Sequence, residues 1–258
     1  MLDAETLSVT LGRKPILKGI DLEARAGTLT CIVGPNGSGK TTLLRALTGE
    51  VASSGRLCLD GQDLRSLKPE ALALRRAVLP QSVPLAFPFT VLEIVRLGLT
   101  GVPGAEARAL PSQALHRVGL GGYEGRLFQE LSGGEQQRVH LARVLLQVWT
   151  PVVHGLPRWL FLDEPVAALD IGHQLQVMRI ARDFAEAGGG VIAVMHDLNL
   201  TAMVADQVWL MTAGRIAARG SPAEVFTDAT LAAAYGCAIR VSTPPSDGTP
   251  FILPQAAA

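Results

Sequence analysis

The sequence predicts an α/β fold in which a parallel sheet is interrupted by a helical insertion, and three observations support this prediction. Short, wholly apolar runs, which are typical of buried parallel strands, occur near both ends of the chain. Segments with helical periodicity alternate with them. From about residue 82 to 146 the pattern changes to helices broken by Pro and Gly, without a convincing strand. We therefore expect a sheet core that carries an inserted helical arm.

The order of the predicted strands and helices along the chain supports this fold class. Strands are predicted at Thr6–Leu11, Ile20–Ala24, Thr28–Val33, Gly55–Leu59, Ala77–Leu79, Trp159–Leu162, Val191–Val194, Val208–Thr212 and Arg215–Arg219. Helices are predicted after the loop Gly34–Lys40 and from about His173 to Glu186. Residues 1–241 are expected to form one domain with its helical arm at about 82–146, and the Pro- and Ala-rich residues 242–258 a surface tail.

Composition excludes several classes of protein. The 258 residues carry 23 Lys and Arg against 23 Asp and Glu, so broad cationic attraction to nucleic acid is not expected. Hydrophobic residues make up 48% of the chain, yet no run approaches the roughly 20 apolar residues of a membrane span. The N-terminus lacks a secretory pattern, and the widely spaced Cys31, Cys58 and Cys237 are expected to be buried thiols in a reducing cytosol.

A phosphate-binding loop is the most specific motif. The segment between a predicted buried strand and a helix fits G-x-x-x-x-G-K-[ST], and its residues are Gly34, Pro35, Asn36, Gly37, Ser38, Gly39, Lys40, Thr41 and Thr42. Glycines let successive N–H groups point inward at a helix N-terminus. Lys40 adds a positive charge for the β- and γ-phosphates of a nucleotide, and the Thr41 hydroxyl can ligate Mg²⁺.

Two further segments place polar side chains where a nucleotide would lie. The run Trp159–Leu162 ends in Asp163 and Glu164, and ligands gather at the carboxyl ends of parallel strands. Asp163 is suited to a Mg²⁺ shell and Glu164 to polarising an attacking water. His196 follows the buried run Val191–Met195, and structural and catalytic roles are equally open for it.

A second anion-binding helix start is predicted at Leu131–Gln137, which we call the signature segment. Ser132 is expected to cap the following helix, and Gly133 and Gly134 to let a phosphate approach the backbone. Both helix starts can serve one nucleotide only if they face it from opposite sides. The partner loop of this segment is therefore expected from a second copy of the chain.

At this point the sequence resembles the ATP-binding subunit of ABC transporters over residues 4 to 236. The motifs in family order are Gly34–Thr42 as Walker A, Gln81 as the Q-loop, the signature segment, Leu160–Glu164 as Walker B, Ala168–Asp170 as the D-loop and His196 as the switch histidine. The resemblance implies an ABC cassette, which is a P-loop NTPase with a RecA-like parallel core, an antiparallel β subdomain and an inserted helical subdomain. It also implies a head-to-tail homodimer that sandwiches ATP and Mg²⁺.

The family pattern assigns roles residue by residue. It implies that Lys40, Thr41 and Thr42 bind phosphate and Mg²⁺, and that Thr41, Gln81 and Asp163 are the metal-site residues. Glu164 would be the general base, assisted by His196 and Gln81. Ser132, Gly133, Gly134 and Glu135 would contact the nucleotide of the second copy, with Asp170 at the seam between copies.

Two positions depart from the pattern. The family usually stacks adenine on an aromatic residue near the end of the first strand, where this chain has Val9–Arg13, and Leu11 and Arg13 are the alternatives for covering the base. Ala168 replaces the usual Ser of the D-loop but spares Asp170.

Within the family the resemblance is strongest to importers of iron chelates, haem and cobalamin. The segment Leu79–Val91 and the extra length Gln147–Arg158 point to the haemin-importer ATPase. Two permease copies are expected to dock near Gln81–Val91, where Phe87 and Phe89 flank a proline. A periplasmic binding protein would take part indirectly, and the chain would lie on the cytoplasmic face of the inner membrane.

Other functions compete with this interpretation. A ferric-siderophore or cobalamin importer ATPase would share every catalytic residue. ABC ATPases of DNA repair or translation carry long coiled coils or fused cassettes, and this chain shows no heptad run. A metabolic P-loop kinase would lack the signature segment. His140 and His154 are expected to be surface or packing residues rather than haem ligands.

Overall fold

The computed structural model describes residues 1–81, 87–99 and 106–252. Its strands are β1 (Leu2–Leu11), β2 (Lys14–Ala24), β3 (Leu29–Val33), β4 (Ser54–Leu59), β5 (Gln62–Asp63), β6 (Arg76–Leu79), β7 (Val152–Val153), β8 (Leu156–Pro157), β9 (Trp159–Asp163), β10 (Gly190–Val194), β11 (Gln207–Thr212) and β12 (Arg215–Gly220). Its helices are α1 (Lys40–Leu47), α2 (Pro69–Arg75), α3 (Val91–Arg96), α4 (Glu106–Arg117), α5 (Gly133–Gln147), α6 (Ile171–Glu186), α7 (Leu198–Val204), α8 (Pro222–Val225) and α9 (Asp228–Tyr235).

The larger sheet has the strand order β12-β11-β3-β10-β9-β6. Its strands are parallel except β12, which pairs with β11 in the antiparallel direction. Every residue of β3, β9 and β10 is buried, because helices and the second sheet cover the two faces. This burial explains the continuous apolar runs in the sequence and confirms the predicted parallel core.

The smaller sheet is antiparallel, with the order β2-β1-β4-β5. Its inward side chains form a hydrophobic cluster with Leu43 and Leu44 of α1 and with Ile32 and Phe161 of the larger sheet. Helix α1 therefore lies between the two sheets. The other face of the larger sheet packs on α5 and α6. This layering holds the start of α1, and with it the phosphate loop, at the carboxyl edge of β3.

The helical arm consists of α3, α4 and α5, which lie between β6 and β9 in sequence although these two strands pair directly. Helices α3 and α4 pack against α5, and Gln147 ties the end of α5 to the core through bonds to the carbonyl oxygens of Ala73 and Arg76 at 2.9 and 3.0 Å. The domain boundary at residue 241 and the exact limits of the arm stay predictions.

Some local predictions need correction. Strand β1 begins at Leu2 and β2 at Lys14, earlier than expected. In the first half of β1 polar residues alternate with buried ones, and β2 starts with the exposed Lys14 and Pro15, which carry little strand pattern. The extra length ahead of β9 folds as the β7–β8 hairpin, which exposes His154. Cys31 and Cys58 are buried as expected, but Cys237 is exposed because it follows the end of α9. His140 is buried, which fits the packing role.

No helix among the described residues combines the length and the apolar character that a membrane span requires.

Candidate nucleotide site

The phosphate loop leaves β3 and leads directly into α1. It passes so close to β11 that a Cβ at Gly34 would lie 2.2 Å from the carbonyl oxygen of Met211, which is why this position requires glycine. The Lys40 ammonium folds back over the loop and donates to the carbonyl oxygens of Gly34 and Pro35 at 2.9 and 3.2 Å. Ser38 presents a buried hydroxyl that lacks a hydrogen-bond partner among the described residues. The loop therefore offers a positive charge and a free hydroxyl to a phosphate.

A cavity of about 420 Å³ opens beside this loop. Its lining residues come from the loop, β2 and the ends of β9 and β10, and they are Lys14, Ile16, Asn36, Gly37, Gly39, Lys40, Thr41, Thr42, Glu164 and His196. Leu11 and Arg13, the alternatives expected to cover the base, are not part of this lining, whereas Lys14 and Ile16 are. The turn between β1 and β2 brings Lys14 and Ile16 to the cavity, and the spacing of the sequence motifs could not predict this contact.

The Mg²⁺ candidates meet at the start of α1. The Thr41 hydroxyl donates to an Asp163 carboxylate oxygen at 3.3 Å, and both residues line a neighbouring cavity of about 290 Å³ with Gln81. Burial raises the pKa of Asp163, and the nearby Glu164 adds to this rise, while the Thr41 hydrogen bond opposes it. A hydroxyl, an amide oxygen and a carboxylate are hard oxygen ligands of the kind that Mg²⁺ takes together with substrate phosphates. The residues present fit this cation.

Burial lowers the pKa of Lys40, while Glu164 and Asp163 act to raise it. The two carboxylates therefore favour the charged ammonium that a phosphate needs, against the cost of its desolvation.

Glu164 stands at the centre of a hydrogen-bonded trio. One carboxylate oxygen lies 2.5 Å from His196 Nε2, and the other accepts from the Gln81 amide at 2.9 Å. Strands β9 and β10 are neighbours in the sheet, so their carboxyl ends bring Glu164 and His196 together. The arrangement can hold a carboxylate in a fixed direction at the edge of the phosphate cavity. Glu164 thus contacts both of the other residues predicted as catalytic.

The signature segment forms a separate half-site. Ser132 caps α5 by accepting from the Glu135 N–H at 3.3 Å, and the Glu135 carboxylate accepts from both the N–H and the hydroxyl of Ser132 at 2.8 Å. The predicted cap is confirmed, and these same bonds lower the pKa of Glu135. With the cap in place, the N–H groups of Gly133 and Gly134 lie at the helix start, where an anion is stabilised.

This half-site lines its own cavity of about 440 Å³, whose residues are Ser132, Gly133, Gly134, Glu135, Arg138, Ala168, Leu169, Asp170 and His173. Asp170 caps α6 through the His173 N–H at 2.9 Å and also contacts the His173 ring at 2.8 Å. These bonds lower the pKa of Asp170. Among the described residues, the signature cavity and the phosphate-loop cavity share no lining side chain. The structure therefore does not bring the predicted nucleotide-binding residues together within one chain.

Comparison with known proteins agrees with this architecture. The fold, the phosphate loop and the signature helix start are those of an ATP-binding cassette, and a family model described as ABC transporter matches residues 17–167. The chain belongs to the ABC transporter family.

The curated relatives include proteins named Hemin import ATP-binding protein HmuV. The one from Jannaschia sp. (strain CCS1) is 63% identical over 258 residues, covering 100% of this chain and 95% of the relative. The one from Rhizobium meliloti (strain 1021) is 58% identical over 261 residues, covering 100% and 99%.

Solved structures share the fold. The structure of cbiO1 from Clostridium perfringens, described as part of the ABC transporter complex cbiONQ, is 28% identical with a TM-score of 0.74 and covers 89% of this chain and 92% of its own. The ADP conformation of MJ1267, an ATP-binding cassette of an ABC transporter, has a TM-score of 0.78 at 24% identity and covers 91% and 98% of the two chains.

Proposed function

We propose that the chain is the ATP-hydrolysing subunit that energises a bacterial inner-membrane importer of haemin. The observation that carries this proposal is the full-length identity of 63% to a protein named for hemin import. A ferric-siderophore or cobalamin importer would use the same catalytic residues, and the named relatives favour haemin over both. Non-transport ABC ATPases are a different class that no relative named above favours.

The phosphate loop and Lys40 bind the β- and γ-phosphates of ATP, and Thr42 completes the loop end of the cavity. Thr41, Asp163 and Gln81 would hold Mg²⁺, a Lewis acid that withdraws charge from phosphate oxygens when bound. Lys14 and Ile16 line the same cavity, and their aliphatic carbons would cover the base.

Hydrolysis requires a water aligned with the γ-phosphorus. Glu164 accepts a proton from this water as its oxygen bonds to phosphorus, and the bond to the β,γ-bridging oxygen breaks to release ADP and inorganic phosphate. His196 and Gln81 fix the direction of the Glu164 carboxylate, as their hydrogen bonds at 2.5 and 2.9 Å support.

The second half of the site comes from another copy of the chain. Ser132, Gly133, Gly134 and Glu135 of one copy close on the γ-phosphate held by the other, and Asp170 lies at the seam. What supports this is that the phosphate-loop cavity and the signature cavity have no lining residue in common among the described residues, as expected of a nucleotide held between two copies in head-to-tail arrangement.

The homodimer docks on permease subunits at the cytoplasmic face of the inner membrane, and a periplasmic binding protein delivers the cargo to them. The expected docking segment Gln81–Val91 includes residues 82–86, which lie outside the described residues. Phe87 is 67% exposed and fits a docking role, whereas Phe89 is half-buried against the arm. Phe87→Ser should weaken permease binding in pull-down assays more than Met203→Ser, a control at another exposed apolar position.

The test of the proposed function is reconstitution of the chain with its cognate membrane subunits in lipid nanodiscs. ATP hydrolysis should rise with haemin-loaded binding protein and not with ferric siderophore or cobalamin. Stimulation by one of the other cargoes instead would reassign the cargo, and a rate independent of the membrane subunits would refute the transport role.

A further inference from the structure

Helix α5 contacts the catalytic carboxylate of its own chain. Gln137 lies one turn beyond the helix start, and its amide Nε2 donates to the backbone carbonyl oxygen of Glu164 at 2.9 Å. The same helix carries the signature segment, which we have assigned to the nucleotide of the other copy. One helix thus links the two half-sites inside a single chain.

The backbone at Glu164 needs such a restraint. Its φ is +52°, in the left-handed region, which is strained for a residue other than glycine. The peptide that follows leads into Pro165, which has no N–H, so the Glu164 carbonyl is the only hydrogen-bonding group of that peptide. The Ala167 N–H also approaches this oxygen, at 3.4 Å, which makes the Gln137 bond the shorter of the two.

The oxygen of the Gln137 amide gives a second reason to regard the bond from its Nε2 to Glu164 as functional. Its Oε1 is buried and has no hydrogen-bond partner among the described residues. Burying an unsatisfied amide oxygen lowers stability, and an apolar side chain of the same size would avoid this cost. An apolar side chain, however, could not donate a hydrogen bond to the Glu164 carbonyl oxygen, as Gln137 does.

The neighbouring backbone is held in the same way. Gly134 packs so closely that a Cβ there would lie 3.0 Å from the Ala168 carbonyl oxygen, and the Gln174 amide of α6 donates to the Leu169 carbonyl oxygen at 3.0 Å. Residues 164–170 therefore form a strap between α5 and α6. A movement of α5 relative to the sheet would be transmitted to Glu164 through this strap.

We infer that Gln137 is a positioning residue that orients the Glu164 carboxylate of its own chain and ties that orientation to the position of α5. The inference rests on the proposed role of Glu164 as the base. Gln137 is the last residue of the signature segment, but it acts on Glu164 of its own chain, whereas Ser132, at the start of the segment, acts on the nucleotide of the partner copy.

The first experiment compares Gln137→Met with Gln147→Met. Both remove an amide donor from α5 that bonds backbone carbonyls of the core, but only Gln137 reaches Glu164. We expect Gln137→Met to lower kcat about tenfold while the KM for ATP stays within about twofold, because orientation of the base matters in the transition state. Gln147→Met should lose a similar amount of thermal stability and keep its kcat. Equal kcat values in the two variants would overturn the inference.

The second experiment tests whether Gln137→Met lowers hydrolysis by the Glu164 of its own chain or by that of the partner chain. Mixed dimers of Lys40→Ala and Ser132→Arg chains contain one composite site, formed by the loop of the Ser132→Arg chain and the signature segment of the Lys40→Ala chain. Gln137→Met should reduce this activity when it is added to the Ser132→Arg chain, which carries the working Glu164. A reduction only when it is added to the other chain would overturn the inference. Mixed dimers without any activity would instead contradict the shared site, and the kcat comparison would still decide the role of Gln137.

Discussion

The two half-sites are built differently. In the phosphate-loop half, Lys40, Ser38 and Asp163 are buried, and the loop is pressed against β11. In the signature half, Ser132 and Gly133 are exposed, and the polar side chains satisfy one another in a capping box. In the proposed site, the first half is the pocket that holds the phosphates of the nucleotide. The second half is an exposed helix start, which we propose contacts the nucleotide only after a second copy of the chain brings it there.

The largest effect is expected in the first half. Glu164→Gln keeps the size and hydrogen bonding of the side chain but removes the proton acceptor, so ATP hydrolysis should fall at least about 100-fold. Nucleotide binding should persist, because the loop and Lys40 are untouched. Steady-state hydrolysis and fluorescent-nucleotide titration measure the two quantities. A near-normal rate would reject Glu164 as the base.

A substitution in the signature half should lower the rate of ATP hydrolysis without weakening nucleotide binding. Ser132→Arg removes the cap and places a bulky cation in the signature cavity, so hydrolysis should drop at least about tenfold with little change in the nucleotide affinity of the loop. Ser221→Arg is the matched control, because Ser221 forms the same capping box with Glu224 on α8, outside both cavities. Similar rates for the two variants would mean that the cap matters only for folding.

The helix that carries the signature segment should also be sensitive to acid. Burial lowers the pKa of His140 to about 4 from 6.5, and the nearby Arg143 adds to the effect. The unfolded chain therefore binds this proton first, and the stability that the neutral ring provides is present above pH 6.5 and lost as pH falls toward 4.

A shift of this size corresponds to at most roughly 3 kcal/mol. Thermal unfolding of wild type between pH 7 and pH 4 should show a larger fall in Tm than His140→Phe, whose ring keeps the edge-on contact with Phe128. If Tm falls equally with pH in the two proteins, protonation of His140 is not the cause of the acid sensitivity.

The smallest effect concerns the contact between α5 and the strap. A Cβ on Gly134 would press on the Ala168 carbonyl oxygen at 3.0 Å and on the Leu169 side chain at 3.1 Å, whereas a Cβ on Gly133 meets open space. Gly134→Ala should therefore lower the free energy of unfolding by about 1 kcal/mol relative to Gly133→Ala. Denaturant titration of the two variants measures this difference. Equal unfolding midpoints would contradict the prediction and show that the strap moves to accommodate the added Cβ.

The sequence predicts the two halves to different extents. The buried strands β3, β9 and β10 are continuous apolar runs bounded by motif residues, so both the sheet edge and the meeting of Lys40, Glu164 and His196 follow from local pattern and parallel topology. Local pattern does not predict that Lys14 and Ile16 line the cavity, because the turn from β1 to β2 brings them there. Gln137 is part of the predicted signature segment, but its contact with Glu164 depends on how α5 packs on the sheet and could not be predicted. The β7–β8 hairpin was expected only as extra length, since two-residue strands carry too little pattern to detect.

The central claim is that each ATP is bound by the loop of one chain and the signature segment of another. Lys40→Ala and Ser132→Arg chains should each be inactive alone, because every homodimer then lacks one half of both sites. Mixing them in equal amounts should restore up to roughly a quarter of the wild-type ATPase rate, because half of the dimers are mixed and each has one intact site. Mixtures that stay as inactive as the separate variants, although subunit exchange is verified, would contradict the claim.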